Sequence, residues 1–162
     1  MLDKFRGRLL GAMLLVASPF VAADALAERI SGEEAVVVMR SMGLSPELEV
    51  NPPGNPVIGF HIHDLFAELK FYDCDNNRRC SSMQLTTALD LPQGMPRGDA
   101  NYFNAQFRYG RIALDKDSDP YLKYDFDVLN TNAAAHLRAQ LEMFGRLVAG
   151  FKEFAGLNQG RQ

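Results

Sequence analysis

Residues 65–74 read LFAELKFYDC, residues 75–79 DNNRR and residues 80–91 CSSMQLTTALDL. Two strand-like runs flank a polar loop, and the chain's only two cysteines, Cys74 and Cys80, stand at its neck. If the cysteines face each other, paired positions sum to 154, and that register can be tested against the side chains. Phe71 then faces Met83, Leu69 faces Leu85 and Ala67 faces Thr87 on one side. Tyr72 with Ser82, Lys70 with Gln84 and Glu68 with Thr86 fall on the other. An apolar and a mostly polar face are what a half-buried antiparallel pair requires, and a slip of one residue would scramble both.

Outward from this hairpin the chain punctuates itself. Ser31-Gly32-Glu33-Glu34 is a capping box, opening a helix through Ala35, Val36, Val38, Met39 and Met42 that Gly43 stops. Residues 44–50 have room for a short strand, and residues 51–56 (NPPGNP) are a loop. Residues 57–63 form a strand with Ile58, Phe60 and Ile62 on one side and Gly59, His61 and His63 on the other; a tight turn near Asp64 leads into the hairpin. After the breaker-rich residues 92–98, Asp99 is read as the N-cap of a short helix through Tyr102, Phe103 and Phe107 that ends at Gly110. Residues 111–114 are a brief strand, 115–120 a turn, and 121–129 a strand with Tyr121, Lys123, Asp125 and Asp127 on one side.

The closing helix starts after an Asn130-Thr131-Asn132 cap. Leu137, Leu141, Phe144, Val148, Phe151 and Ala155 recur at steps of three and four, the stripe of an amphipathic helix. Arg138, Glu142 and Arg146 are spaced for i,i+4 ion pairs, and Gly156 with the polar end LNQGRQ closes the domain. The expected architecture is α+β: an antiparallel sheet of about five strands, order α-β-β-β-α-β-β-α, with helices packed on one face.

The first 27 residues read as an address. Lys4, Arg6 and Arg8 precede an apolar run from Leu9 to Val21, and Ala25-Leu26-Ala27 is a small-x-small cleavage pattern, which predicts a mature start at Glu28. The run is shorter than the roughly 20 apolar residues a span needs. The division is therefore a signal peptide over 1–27, one domain over 28–157 and a polar tail over 158–162, with a periplasmic destination and no membrane anchor after cleavage. Removing three basic and two acidic groups from 17 Lys/Arg and 20 Asp/Glu leaves 14 and 18, a net charge of −4. Mild acidity without a basic run argues against nucleic acid. Two cysteines in an exported chain make one structural disulfide, Cys74–Cys80.

Candidate chemistry is sparse. Asp115-Lys116-Asp117-Ser118-Asp119 opens like a calcium loop, but Pro120 and Phe126 stand where that geometry needs glycine and glutamate, so an acidic hairpin turn is the better reading. His61 and His63, two apart on a strand, point to one face and would need a third metal ligand from Asp64 or Asp125; two solvated histidines are the commoner case. Asp125 and Asp127 share a face as a carboxylate pair would, yet acidic outer faces are routine. No G-x-S-x-G is present, the cysteines are bridged, and no cofactor motif occurs.

The closing helix offers more. Met143, Leu147 and Phe154 lie about 60–100° around the axis from the main stripe. One reading tucks them into the core; the other makes them a second apolar surface for a partner or for self-association into a homodimer. Gly145 and Gly150 fit a close backbone approach on that side.

The stretches PVIGFHIHDLFAELKFYDC, CSSMQLTTALDLPQG and NAQFRYGRIALDKDSDPYLKYDFDV, in this order, resemble the YbjN family of bacterial sensory-transduction regulators over roughly residues 32–154. The resemblance implies a fold similar to type III secretion chaperones and no catalytic residues; the exported, cysteine-bridged form departs from the family's cytosolic members. The expectation is an exported, non-enzymatic domain that binds a protein or peptide as a chaperone, adaptor or regulator, and the alternative is a periplasmic small-ligand or metal-binding sensor domain.

Overall fold

The computed structural model describes residues 29–49 and 54–159, with side chains to residue 156; the expected signal segment and the expected start at Glu28 lie outside them. In chain order the elements are α1 (Gly32–Ser41), β1 (Glu47–Glu49), β2 (Val57–Ile62), β3 (Leu65–Asp75), β4 (Arg79–Ala88), α2 (Arg97–Gln106), β5 (Arg111–Leu114), β6 (Pro120–Asp127) and α3 (Ala133–Gln159). The strands form one antiparallel sheet in the order β1-β2-β3-β4-β6-β5.

The β3–β4 register is the one the cysteines imply: Ala67 opposes Thr87, Leu69 Leu85, Phe71 Met83 and Cys74 Cys80. The turn is tightened by Asn76 and Asn77, both at positive φ, where asparagine is the side chain that tolerates a left-handed backbone. Inward positions continue across the sheet as Ile58, Phe60, Leu122 and Tyr124, and all of these are buried.

The sheet has six strands where about five were expected. The extra strand, β1, is three residues long and directs only Leu48 toward the core, between Glu47 and Glu49, so it carries almost no alternation to read. Short acidic strands are a common way to close a sheet edge against further pairing.

Helix α1 begins and ends on local instructions. Glu34 N–H donates to Ser31 Oγ at 3.2 Å while Ser31 N–H donates to Glu34 Oε2 at 2.8 Å. At the other end Leu44 N–H reaches Met39 O and Gly43 N–H reaches Arg40 O, with Gly43 at φ +80°, the paired bonds of a Schellman stop. Helix α2 differs from expectation. It starts at Arg97 behind Pro96, whose carbonyl takes the Asp99 and Ala100 amides, so Asp99 sits inside the first turn rather than capping it. A carboxylate there still meets the positive end of the helix. The helix stops at Gln106, because Phe107 is already extended. Asn104 ties it to β5: its side chain accepts from Ile112 N–H at 2.6 Å and donates to Ile112 O at 3.1 Å.

Helix α3 is capped by Asn132, whose Oδ1 accepts Ala135 N–H at 2.9 Å. Its stripe from Leu137 to Ala155 is buried throughout. Its backbone continues past Gly156 to Gln159, so that exposed glycine is tolerated and does not end the helix. The expected ion pairs along it are replaced. Arg138 Nη2 donates to Ser41 Oγ of α1 at 2.5 Å, Arg146 lies against Met143 Sδ at 3.7 Å, and Glu142 is in no ion pair among the described residues. Among the described residues no helix is long and apolar enough to cross a membrane.

Candidate binding cleft

The described chain begins by joining the hairpin tip. Ile30 and Cys80 exchange both backbone hydrogen bonds, at 3.0 and 2.9 Å, and Ile30 and Cys80 are both buried. Cys80 is bonded to Cys74, so the disulfide fixes the two strands on which this contact rests. Arg29 Nη1 donates to Asp73 O at 2.6 Å, and Arg29 Nε lies 3.5 Å from Asp75 Oδ2. Arg79 donates to both carboxylate oxygens of Glu34, at 3.2 and 3.3 Å, and to Arg29 O. Hairpin tip, N-terminal segment and α1 are thereby cross-tied by two guanidinium groups.

These ties frame a cleft of about 820 Å³ between α1, the hairpin tip and the first turn of α3. Val37, Val38, Ala133 and Ala134 supply apolar lining; Arg29, Asp75, Arg79 and Glu34 supply alternating charge; Asn132 adds an amide. Val37 is 67% exposed, the most exposed large apolar side chain among the described residues, because α1 buries Ala35, Val36 and Met39 on its other side. The Val36-Val37-Val38 run was the available sequence signal, since three successive helical residues cannot all face a core.

The residues singled out in the sequence fall elsewhere. Leu147 is buried, with its methyls 3.3 and 3.4 Å from where a Cβ on Gly110 would stand. Phe154 is half-buried, stacked on Tyr102 with centroids 6.2 Å apart and edge-on to Phe103 at 5.4 Å. A Cβ on Gly150 would lie 2.9 Å from the Phe107 ring, so the close approach on this side is made by the segment leaving α2. Met143 is half-buried. The three residues therefore do not form one free patch: α2 and its exit already pack on Leu147 and Phe154.

His61 and His63 do not share a face. His63 and Asp64 both have positive φ, at 49° and 65°, as a two-residue type I′ hairpin turn demands. The turn carries His63 Nε2 to 3.6 Å from a Cβ position on Gly145 of α3, whereas His61 lies edge-on to Phe66 on the outer face. Among the described residues no three His, Cys, Asp or Glu side chains are grouped to hold a metal. In the 115–120 turn, Asp115 Oδ1 accepts the amides of Asp117 and Asp119, each at 2.9 Å, so the acidic loop closes on its own backbone.

Asp125 and Asp127 have separate partners. Asp127 Oδ1 accepts Leu129 N–H at 3.2 Å. Asp125 accepts Gln84 Nε2 at 2.7 Å and pairs with Arg111. Burial pushes the Asp125 carboxyl up, but the hydrogen bonds from Gln84 and Arg111 and the charges of Arg111 and Lys123 outweigh it and hold the group below the ordinary carboxylate range. Inside, Tyr124 Oη donates to Gln140 Oε1, whose Nε2 lies 3.1 Å from His136 Nε2, joining β6 to α3; burial, then the neighbouring Tyr109, raises the Tyr124 phenol.

No family model, no curated protein and no solved structure matches this chain.

Proposed function

We propose that this chain is an exported, non-enzymatic domain that binds an extended polypeptide in the cleft beside its disulfide hairpin, in the manner of a chaperone or adaptor. The observation that carries the reading is Val37: a β-branched side chain 67% exposed in a cleft whose rim alternates guanidinium and carboxylate. An apolar floor takes a peptide side chain, and charges of both signs hold the amides and charged residues beside it. The disulfide suits an oxidising compartment, to which the 1–27 signal would deliver the chain. The resemblance to the YbjN family, with its secretion-chaperone-like fold, points the same way.

The test is capture from periplasmic extract by the mature chain, beside Val37→Glu. A co-purifying polypeptide that is displaced by an aliphatic peptide, and lost by about 10-fold or more in Val37→Glu at unchanged melting temperature, is the expected result. Capture indifferent to Val37 overturns the reading. The cleft's volume also lies in the range small-molecule sites occupy, so a bound metabolite or metal in native mass spectrometry would assign the protein to the sensor class instead.

A further inference from the structure

The outer face of the sheet, which no described helix covers, is laid out as a checkerboard of charge. Outward positions along β3 are Phe66, Glu68, Lys70 and Tyr72; along β6 they are Tyr121, Lys123, Asp125 and Asp127. Strand β4 runs between them, giving the lateral rows Glu68–Thr86–Lys123, Lys70–Gln84–Asp125 and Tyr72–Ser82–Asp127. The same register sets Phe66 level with Ala88, which opposes Tyr121. In the two rows carrying Glu68 and Lys70, an acid on one side of β4 has a base on the other. Short, neutral residues occupy β4 itself.

Such a face is its own complement. We propose that two copies of the chain pack sheet to sheet through it, about a two-fold axis running along β4. The half-turn exchanges the β3 side for the β6 side. Glu68 then meets Lys123 of the second copy, Lys70 meets its Asp125, Tyr72 offers its hydroxyl to its Asp127, and the Phe66 ring meets its Tyr121. No like charges oppose one another in these rows. Phe66 is 56% exposed and Tyr121 37%, and within the chain Lys123 makes no ion pair among the described residues, whereas Glu68 pairs with Lys70 at 2.9 Å and Asp125 with Arg111, so these half-exposed groups would share their bonds across the interface. The pairing is isologous, as two-fold contacts are, and keeps strand directions aligned as stacked sheets require.

About an axis on β4 the strands β2, β3, β4, β6 and β5 face their counterparts, while β1 lies beyond the second copy's edge. Five strands and four outward rows span at most about 19 by 20 Å, roughly 400 Å² in plan per copy and about 800 Å² for two, the size of a weak, reversible contact. Edge-to-edge growth is the poorer route, because both edge strands are short and β1 is acidic. The cleft lies outside this face, so the proposal stands or falls separately from polypeptide binding.

Sedimentation or light scattering of the mature chain over a concentration series tests it. The expected result is a dimer that Lys123→Glu weakens by about 10-fold or more, since Glu then faces Glu68, and that Lys123→Glu with Glu68→Lys restores. Phe66→Glu, at a largely exposed ring, must also dissociate it, and Val37→Glu must leave it intact. A monomer at every concentration overturns the proposal, as does a dimer insensitive to Lys123→Glu and Phe66→Glu. Loss of the dimer in Lys123→Glu without rescue by the charge swap overturns the axis, because a half-turn across the strands would set Lys123 against Asp125 instead.

Discussion

Asp125 shows how a single side chain acquires a role from its neighbours. Alone on a strand it is one more acidic outward residue; beside Gln84, Arg111 and Lys123 it is a carboxylate held in its charged form. A carboxyl whose folded pKa is lowered stabilises the fold above its unfolded value, about 3.9, and that contribution is lost as pH falls through the lowered folded value. Urea unfolding of the chain and of Asp125→Asn between about pH 6 and pH 2 should therefore show a difference that is full near neutrality and shrinks below about pH 4. Because the side chain is nearly half exposed, solvent screening keeps the effect small. A difference that grows toward low pH would contradict the assignment.

Among the elements, the hairpin of β3 and β4 does two jobs. It is the centre of the sheet, and its tip forms a wall of the cleft. The Cys74–Cys80 bond closes a short loop, so chain-entropy arithmetic gives it roughly 2–3 kcal/mol. The sheet register is also fixed by Leu69, Phe71, Met83 and Leu85, all buried. Cys74→Ser with Cys80→Ser should accordingly leave a folded domain destabilised by about that amount in urea titration. The same variant should weaken polypeptide capture more than its stability loss suggests, since Ile30, Arg29 and Arg79 are anchored on the tip the bond holds. Readily alkylated thiols in the native protein would remove the premise.

For the molecule as a whole, α3 is the spine against which the inner face of the sheet, α1 and α2 are assembled. Leu137, Leu141, Phe144, Val148 and Phe151 are at most 1% exposed, and Leu147 at 7% extends the contact to Gly110 at the entrance to β5. Leu147→Glu would bury a carboxylate with nothing to pair it, costing several kcal/mol, comparable to the roughly 3–5 kcal/mol expected for Phe144→Ala. Thermal melts should show both variants strongly destabilised. A Leu147→Glu protein that melts like the parent would return this side of the helix to a partner surface. With all three described helices on one side, no described helix covers the other face of the sheet.

What the sequence determined by itself is whatever short-range periodicity and steric rules encode. Period-two alternation around Cys74 and Cys80 dictated the β3–β4 register pair by pair, and the 3.6-residue period dictated the buried stripe of α3. The capping box at Ser31 and the stop at Gly43 needed only residues within a turn of each other. The tertiary structure decided everything that depends on residues far apart in the chain. Leu48 becomes part of a sixth strand only because β2 offers an edge, and His63 leaves the face of His61 because the hairpin turn takes it to positive φ beside α3. Arg138 forgoes a helical neighbour for Ser41, and α2 with Phe107 occupies the side of α3 on which Leu147 and Phe154 lie. The cleft was illegible for the same reason: its walls come from residues 29–38, 75–79 and 132–134, and no pattern along the chain relates segments that only packing brings together.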